Sequence, residues 1–517
     1  PVPGLRLDGA RLRLPADARL DGSLLTLRPR PGARLGAAAF RWRDSIRGDA
    51  IELPLDADAG PLLEGSLRGD RLAHGRYRLA LLPAPFAIRV LRADGAPLEL
   101  RGTTPRLDLD LHDWATGRVL LADARVEVPA YRLEIAEAGG ELQLAGGGLA
   151  AGAAVPVRAG SVRHTGDPAW FRPLSLRGVL RPEGARLGFR IEAAGAGDEF
   201  KIDLDGRHDL ASGSGRAEVR MAPLEFAPGG LQPAQLAPLL ATTLTDVGGW
   251  VDLDGTLAWG PNRPRSDLAL LVHDLSLSAG PARLERINGA IQFDSLAPPS
   301  TPPNQLLAVA LLDVGLPLLD GVIDFRLERD GAVAVEQARW RWAGGEVGTG
   351  AFAYRPGEPL SLSLQARSLD VAQLLDQVQL GGLEGTGRLS GALPVRIEDG
   401  VAIIAHGELK AHGPGWLRYR PQEPPAALQA GGEGVNLMLQ ALENFRYEAL
   451  RITLDGRTDS EMQVGLHLSG ANPQLYGGYP VEFNLNLEGE LGAVLQAGIQ
   501  GYSLPERIAE RMQRLRR

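Results

Sequence analysis

Short runs in which every second residue is aliphatic recur along the whole chain, separated by little except glycine- and proline-rich breaks. In one such run Val481, Phe483, Leu485 and Leu487 alternate with Glu482, Asn484, Asn486 and Glu488. Successive side chains of an extended strand point to opposite faces, so this run makes a ribbon with one oily side and one wet side. The same alternation predicts strands over 76–82, 107–111, 200–204, 251–257, 321–327, 360–364, 450–454, 462–468 and 481–487. Asp94-Gly95, Asp330-Gly331 and Asp399-Gly400 supply the positive φ that tight turns need, which gives a meander of antiparallel hairpins. Longer loops are expected at 298–304 and 421–434, where the periodicity lapses and Pro or Gly clusters.

Helical spacing is rare. It is predicted at 233–246, at 371–378, at 435–445 with Val435, Met438, Leu439 and Leu442 on one side, and from Pro505 to Arg517. In the last of these Ser503 and Glu506 have capping-box spacing and Pro505 suits a first turn. Ile508, Met512 and Leu515 then form an apolar stripe beside Arg507, Arg511, Arg514, Arg516 and Arg517, a short basic amphipathic helix suited to plugging a sheet edge or docking a partner. One internal repeat aligns 236–257 with 372–393 without gaps, matching Leu239 with Leu375, Gly249 with Gly385, Leu253 with Leu389, Gly255 with Gly391 and Leu257 with Leu393. Each copy reads as a short helix, a glycine turn and a strand, which favours a stacked, elongated architecture.

Charge and chemistry narrow the function by exclusion. A net charge of -8 over 517 residues argues against a nucleic-acid partner, because phosphate backbones need clustered excess cations. Lys201 and Lys410 are the only lysines among 55 basic residues, an arginine preference in keeping with a coding bias. Cysteine is absent, which removes disulfides, thiolate-bound zinc and thiol catalysis together. No window approaches the ~20 consecutive apolar residues of a membrane-spanning helix. The chain opens at Pro1 with no leader, so any anchor is expected upstream of this sequence.

His74, His112, His164, His208, His273, His406, His412 and His467 never fall at metal-ligand spacing, and neither a nucleophile elbow nor a phosphate loop is present. Gly348 and Gly350, like Gly385 and Gly387, form G-T-G fragments best read as turns or bulges. Asp108, Asp110 and Asp113, or Asp252 and Asp254, invite an acid–base or calcium reading. Asp108 and Asp110 flank Leu109 at period two, however, which puts them on a strand's outer face. No catalytic residue, metal site or cofactor is therefore assigned.

What remains is the oily face. A meander with few helices covers it by folding on itself, or presents it to an apolar ligand. Aromatic residues make up only 5% of the chain, so that face is mostly Leu, Val, Ile and Ala, a surface along which alkyl chains can slide.

The segments ENFRYEALRITLDG (443–456), MQVGLHLSGANPQLYGGYPVEFNLNLEGEL (462–491) and GYSLPERIAERMQ (501–513) resemble the C-terminal region of the YdbH family of intermembrane phospholipid transport proteins, in the AsmA-like group of bridge-like lipid transporters. Segments at 224–259, 311–328 and 381–395 are similar to the same family, while residues before about 220 agree only in style. The resemblance implies a mainly β fold, an antiparallel sheet curled into a hydrophobic groove with a few short capping helices. Residues 1–222 would form its N-terminal part and 223–517 a C-terminal YdbH-like part. It also implies a periplasmic conduit that moves phospholipids between inner and outer membranes, tethered to the inner membrane by an anchor outside this sequence and met at its C-terminal end by a small outer-membrane lipoprotein. On this reading Leu450, Ile452, Leu454, Val464, Leu466, Leu468, Phe483, Leu485 and Leu487 line the lipid path, their three strand faces coinciding. The alternatives are a β-solenoid scaffold or surface protein with a sealed apolar core and, more remotely, a polysaccharide-active β-helix enzyme.

Overall fold

The computed structural model describes residues 5–42, 46–68, 71–91, 97–112, 116–145, 148–149, 152–241, 244–260, 265–279, 282–296, 298–314, 317–355, 358–378, 382–398, 401–420, 432–457 and 462–489. Of the described residues 72% are strand and 6% helix, in antiparallel sheet that these residues do not close into a barrel. It divides into two compact units: one takes in the chain up to Thr243 with Val251–Leu270 and Phe293–Ala297, the other Leu244–Trp250, Leu271–Gln292 and the chain from Pro298 onward.

In the first unit the N-terminal strands pair out of sequence order, as Arg71–Leu81 does with Arg106–His112 across the Pro85–Leu91 and Pro97–Thr103 hairpin, and from Arg106 onward most neighbours in sequence are neighbours in the sheet. Arg71–Leu81, Arg106–His112, Thr116–Val128 and Leu133–Ala145 pair antiparallel in turn, and their register places Leu79, Leu109, Val119 and Leu142 in one row. The adjacent row is Arg78, Asp110, Arg118 and Gln143. Because the side-chain period is two, the rows face opposite ways, and a slip of one residue would invert every strand. The pattern continues through Arg186–Gly195, Phe200–Asp209 and Ser214–Phe226, where Ile191, Leu204 and Val219 align beside Arg190, Asp205 and Glu218.

The second unit is built alike. Gly345–Thr349, Leu360–Asp370, Arg388–Glu398, Val401–Ala411, Phe445–Arg457, Met462–Ala471 and Val481–Gly489 pair in that order. Two helices pack on this sheet. Val371–Val378 begins where the Asp370 carboxylate accepts the Ala372 N–H at 2.9 Å, and it sets Val371, Leu374 and Leu375 against the core. Gly432–Leu442 buries Ala441 and Leu442, and its last carbonyls, at Gln440 and Ala441, accept hydrogen bonds of 3.1 and 3.2 Å from the Asn472 amide. Those carbonyls lack partners within the helix, so a buried Asn at the end of a neighbouring strand serves as their cap.

Many strands carry a bulge at a polar residue in left-handed conformation. Asp123, Glu137, Asp274, Arg286, Asp320, Ser368 and His406 all have φ between 48 and 59°. A bulge frees a backbone N–H from the ladder. In the second unit four of these are recaptured by side chains of a facing strand: Asp274 N donates to Asn288 Oδ1, Arg286 N to Ser276 Oγ, Ser368 N to Ser390 Oγ and His406 N to Asp455 Oδ1, at 3.0, 3.2, 2.8 and 2.6 Å.

Several expectations change. The predicted strands are present, and most run longer than their alternation. The helix expected at 233–246 is only Pro233–Leu236 followed by a 3-10 turn, Pro238–Leu240, because Pro238 holds Ala237 extended and Thr245 already begins a strand. The helix expected at 435–445 runs over Gly432–Leu442, and Phe445, fully buried, opens the next strand. In the repeat Gly249 is no turn; it lies inside Thr245–Trp259 at φ +118°. The matched pair Gly255 and Gly391 share a different reason for lacking a side chain: a Cβ would fall 2.1 Å from the Asp267 carbonyl oxygen in one and 1.9 Å from that of Glu408 in the other. Residues 421–431, Asp94-Gly95, Asp399-Gly400 and the predicted C-terminal helix lie outside the described residues.

Candidate functional site

The strand register of the second unit assembles an apolar band wider than the predicted site. Val347, Ala366, Gly391, Leu409, Ile452, Leu466 and Leu485 form one row across seven strands. Leu450, Leu468 and Phe483 align on one side of it, and Leu454, Val464 and Leu487 on the other. The three predicted strand segments therefore do present one common face, set by backbone register.

Burial divides that band. Toward the helices it is sealed: Leu369, Leu389, Leu409, Phe445, Tyr447, Leu450 and Leu468 are at most 5% exposed, and Ile452, Leu466 and Phe483 pack against them. Leu364 and Leu393 are half-buried against that cluster, and outside it Leu360, Leu362, Ile397, Ile404, Leu454 and Val464 are only half-buried. The side chains of Leu485 and Leu487 lie outside the described residues. Of the nine predicted lining residues, Leu450 and Leu468 thus belong to a sealed core, while Leu454 and Val464 sit on the partly open stretch.

Tyr447, which sequence reasoning passed over, anchors the sealed end. Its hydroxyl donates to the Thr386 carbonyl at 2.6 Å, and burial pushes its pKa above the ordinary tyrosine value. Gly387 and Gly415 leave room for it, since a Cβ on either would meet the hydroxyl at 1.9 or 2.4 Å. The second G-T-G fragment is therefore a cradle for a buried ring. The only hint in sequence is that Phe445 and Tyr447 alternate with Arg446 and Glu448; they are out of phase with Leu450, Ile452 and Leu454, and a register shift between Tyr447 and Ala449 restores the common face.

The reverse face is polar and ion-paired. Lys410, Arg451, His467 and Asn484 make one row across it, with Glu408 2.7 Å from Lys410 and 3.2 Å from Arg451. The His467 ring is hydrogen-bonded to Asn484 and lies 3.1 Å from Glu482. In the first unit Asp110 accepts two hydrogen bonds from Arg76, at 2.8 and 2.6 Å, and the Arg76 guanidinium holds its carboxyl below the usual range. Asp108 faces Arg106 at 3.1 Å and Asp254 faces Arg220 at 3.5 Å, so these acids serve as cross-strand or same-face ion partners, which explains part of the arginine excess. Asp113 lies outside the described residues. Among the described residues no cluster of His, Asp and Glu could hold a metal ion, and no helix is long and apolar enough to cross a membrane.

A sheet with one ion-paired face and one aliphatic face, partly covered, has the chemistry of a surface for alkyl chains. The profile of the YdbH-like family, described as intermembrane phospholipid transport protein YdbH, matches residues 3–513. The chain belongs to the YdbH-like family. The match extends well beyond the C-terminal segments that carry the resemblance in sequence. No curated protein and no solved structure matches the chain. YdbH-like proteins form a family of intermembrane phospholipid transport in the cell envelope, not a known enzyme class.

Proposed function

We propose that this YdbH-like chain is a non-enzymatic hydrophobic conduit crossing the periplasm, along which phospholipid acyl chains pass between inner and outer membranes. The observation that carries this reading is the aliphatic stretch around Leu454 and Val464, which the described residues leave only half-buried, outside the sealed cluster. Burying each CH₂ is worth ~0.8 kcal/mol, so two sixteen-carbon tails carried bare through water would cost on the order of 20 kcal/mol or more. An aliphatic wall removes most of that barrier while headgroups stay in solvent. Leu360, Leu364, Leu393, Ile452, Leu454, Val464 and Leu466, with Phe483, Leu485 and Leu487 on the last strand, would line the path, and Leu450 and Leu468 would form its closed floor. An anchor upstream would hold the chain at the inner membrane. A small outer-membrane lipoprotein would meet Val481–Gly489, whose far edge pairs with no strand among the described residues and would suit strand addition.

Photocrosslinking tests the reading: a probe at Leu454 is expected to capture phospholipid and one at Asn484, on the ion-paired face, is not. Equal capture at both positions overturns it. The sealed cluster at Leu450 and Leu468 favours a second reading, a scaffold with a closed core, which predicts no capture at Leu454 and no co-purifying lipid.

A further inference from the structure

The turn between Met462–Ala471 and Val481–Gly489 presents a separate surface. Residues 472–480 read Asn-Pro-Gln-Leu-Tyr-Gly-Gly-Tyr-Pro, with no charged side chain in a chain that is 23% charged. Tyr476 and Tyr479 are 75% and 71% exposed, more than any other large apolar or aromatic side chain among the described residues. The described residues leave most of both rings in solvent.

The backbone holds them there. Tyr476, Gly477 and Gly478 have φ of 47, 67 and 81°, three successive left-handed residues. Glycine adopts this conformation freely, but a tyrosine does not, so the turn keeps Tyr476 outward against its local preference. The base of the turn is fixed to the core. Gln474 N donates to Asn472 Oδ1 at 2.9 Å, and Leu475 N donates to the Asn472 carbonyl and Gly478 N to the Leu475 carbonyl, each at 3.0 Å. Asn472 is itself buried against the Gly432–Leu442 helix, and Leu475 packs on the sealed cluster. The result is a rigid platform with two projecting phenols.

A phenol has an apolar body and a hydrogen-bonding tip, which is why tyrosine collects where hydrocarbon meets water. A protein partner would ordinarily be oriented by charges at the rim of its site, and this turn offers none. A bilayer interface asks only for an apolar ring at the level of the acyl–headgroup boundary. We propose that the 472–480 turn inserts Tyr476 and Tyr479 into the interface of a phospholipid bilayer and so holds this part of the second unit against the membrane with which lipid is exchanged. The proposal rests on the reading of the chain as a phospholipid carrier, and its test is separable from that reading.

The full chain would be floated with vesicles of phosphatidylethanolamine and phosphatidylglycerol, and separately with phosphatidylcholine vesicles. Replacing both rings (Y476S with Y479S) is expected to lower the bound fraction roughly tenfold on both vesicle types, and the Phe pair to restore most of it. Because the chain has no cysteine, Tyr476→Cys gives a single thiol for an environment-sensitive fluorophore, whose emission is expected to shift to the blue on vesicle addition and to be quenched by brominated acyl chains. Unchanged flotation of the serine pair with an unaltered thermal transition, or a fluorophore that does not respond to vesicles, overturns the proposal. Photocapture at Leu454 reports on the conduit alone, so its loss with vesicle binding intact would count against the conduit and not against the turn.

Discussion

The backbone N–H of His406 donates to Asp455 Oδ1 at 2.6 Å, across the register shift that separates Ile404 from Gly407. His406 is left-handed, and the bulge it makes leaves its amide outside the regular ladder. Replacing Asp455 with Ala is expected to cost about 1 kcal/mol, the net worth of one hydrogen bond, because the freed amide is near solvent. Asp455→Asn keeps an acceptor and should lose less. Urea midpoints measure both, and faster hydrogen exchange of the His406 amide in the Ala variant but not in the Asn variant would tie the loss to this bond.

The sealed and open parts of the apolar band should answer differently to truncation. Leu450→Ala leaves a cavity in a buried cluster and is expected to destabilise by about 2–4 kcal/mol. Leu454→Ala, at a half-buried position, should cost much less and leave phospholipid capture by a photocrosslinker at its cross-strand neighbour Val464 largely intact. Leu454→Asp places a charge on the proposed path, which no alkyl chain can solvate, and is expected to abolish capture at retained abundance. If the Asp variant captures lipid normally, that stretch is not the path.

Tyr447→Phe removes the donor to the Thr386 carbonyl and should cost about 1–2 kcal/mol in thermal or urea unfolding. The same hydroxyl gives an alkaline signature. Burial raises its pKa in the folded chain, so its contribution is fully present below the unfolded-state value and is lost as pH climbs through the folded one. The wild type should therefore lose stability above pH ~10 more steeply than the Phe variant, measured as the difference between their melting curves. Gly387→Ala is expected to be more damaging than either, since its φ of 136° and the hydroxyl in its Cβ position both oppose a side chain.

The Arg76–Asp110 pair should show the opposite sign at the acid end. Hydrogen bonding to Arg76, the largest influence, lowers the Asp110 pKa, so the stabilisation is present above the ordinary carboxylate range and is lost as pH falls through the folded value. The pair is partly solvated, so Asp110→Asn is expected to cost no more than about 1 kcal/mol near neutral pH. The variant should also flatten the acid limb of a pH–melting curve.

Strand alternation made the sheet legible: where 450–454, 462–468 and 481–487 keep phase, the register follows and the faces coincide. Which parts of that face are covered could not be read from the same pattern. Leu450 and Leu454 occupy equivalent positions in the alternation, yet one is sealed and the other half-open, because only Leu450 belongs to the buried cluster that takes in Val371, Ala441 and Leu442 of the two helices. The helix expected at 233–246 stops early because Pro238 holds the residue before it extended, and Gly249 lies in a strand rather than a turn, where a Cβ would fall 2.7 Å from the Asp274 carbonyl oxygen of the facing strand. Tyr447 and Asn472 were invisible because their roles depend on the Thr386 carbonyl and the Gly432–Leu442 carbonyls, which no periodicity brings near. The bulges are silent for a related reason: a left-handed Asp, Ser or His looks like any other polar outer-face residue.

Those side-chain plugs bear on how such a chain can change length over evolutionary time. In the second unit four of the bends are matched by an acceptor on the strand they face, as Ser368 is by Ser390 and Arg286 by Ser276. A neighbouring pair of strands thus carries both the kink and its compensation, with little demand on distant sequence. Duplication or deletion of a whole hairpin would add or remove a strand pair while leaving the local bends of the remainder intact. Selection could then adjust reach in hairpin-sized increments without redesigning the interior.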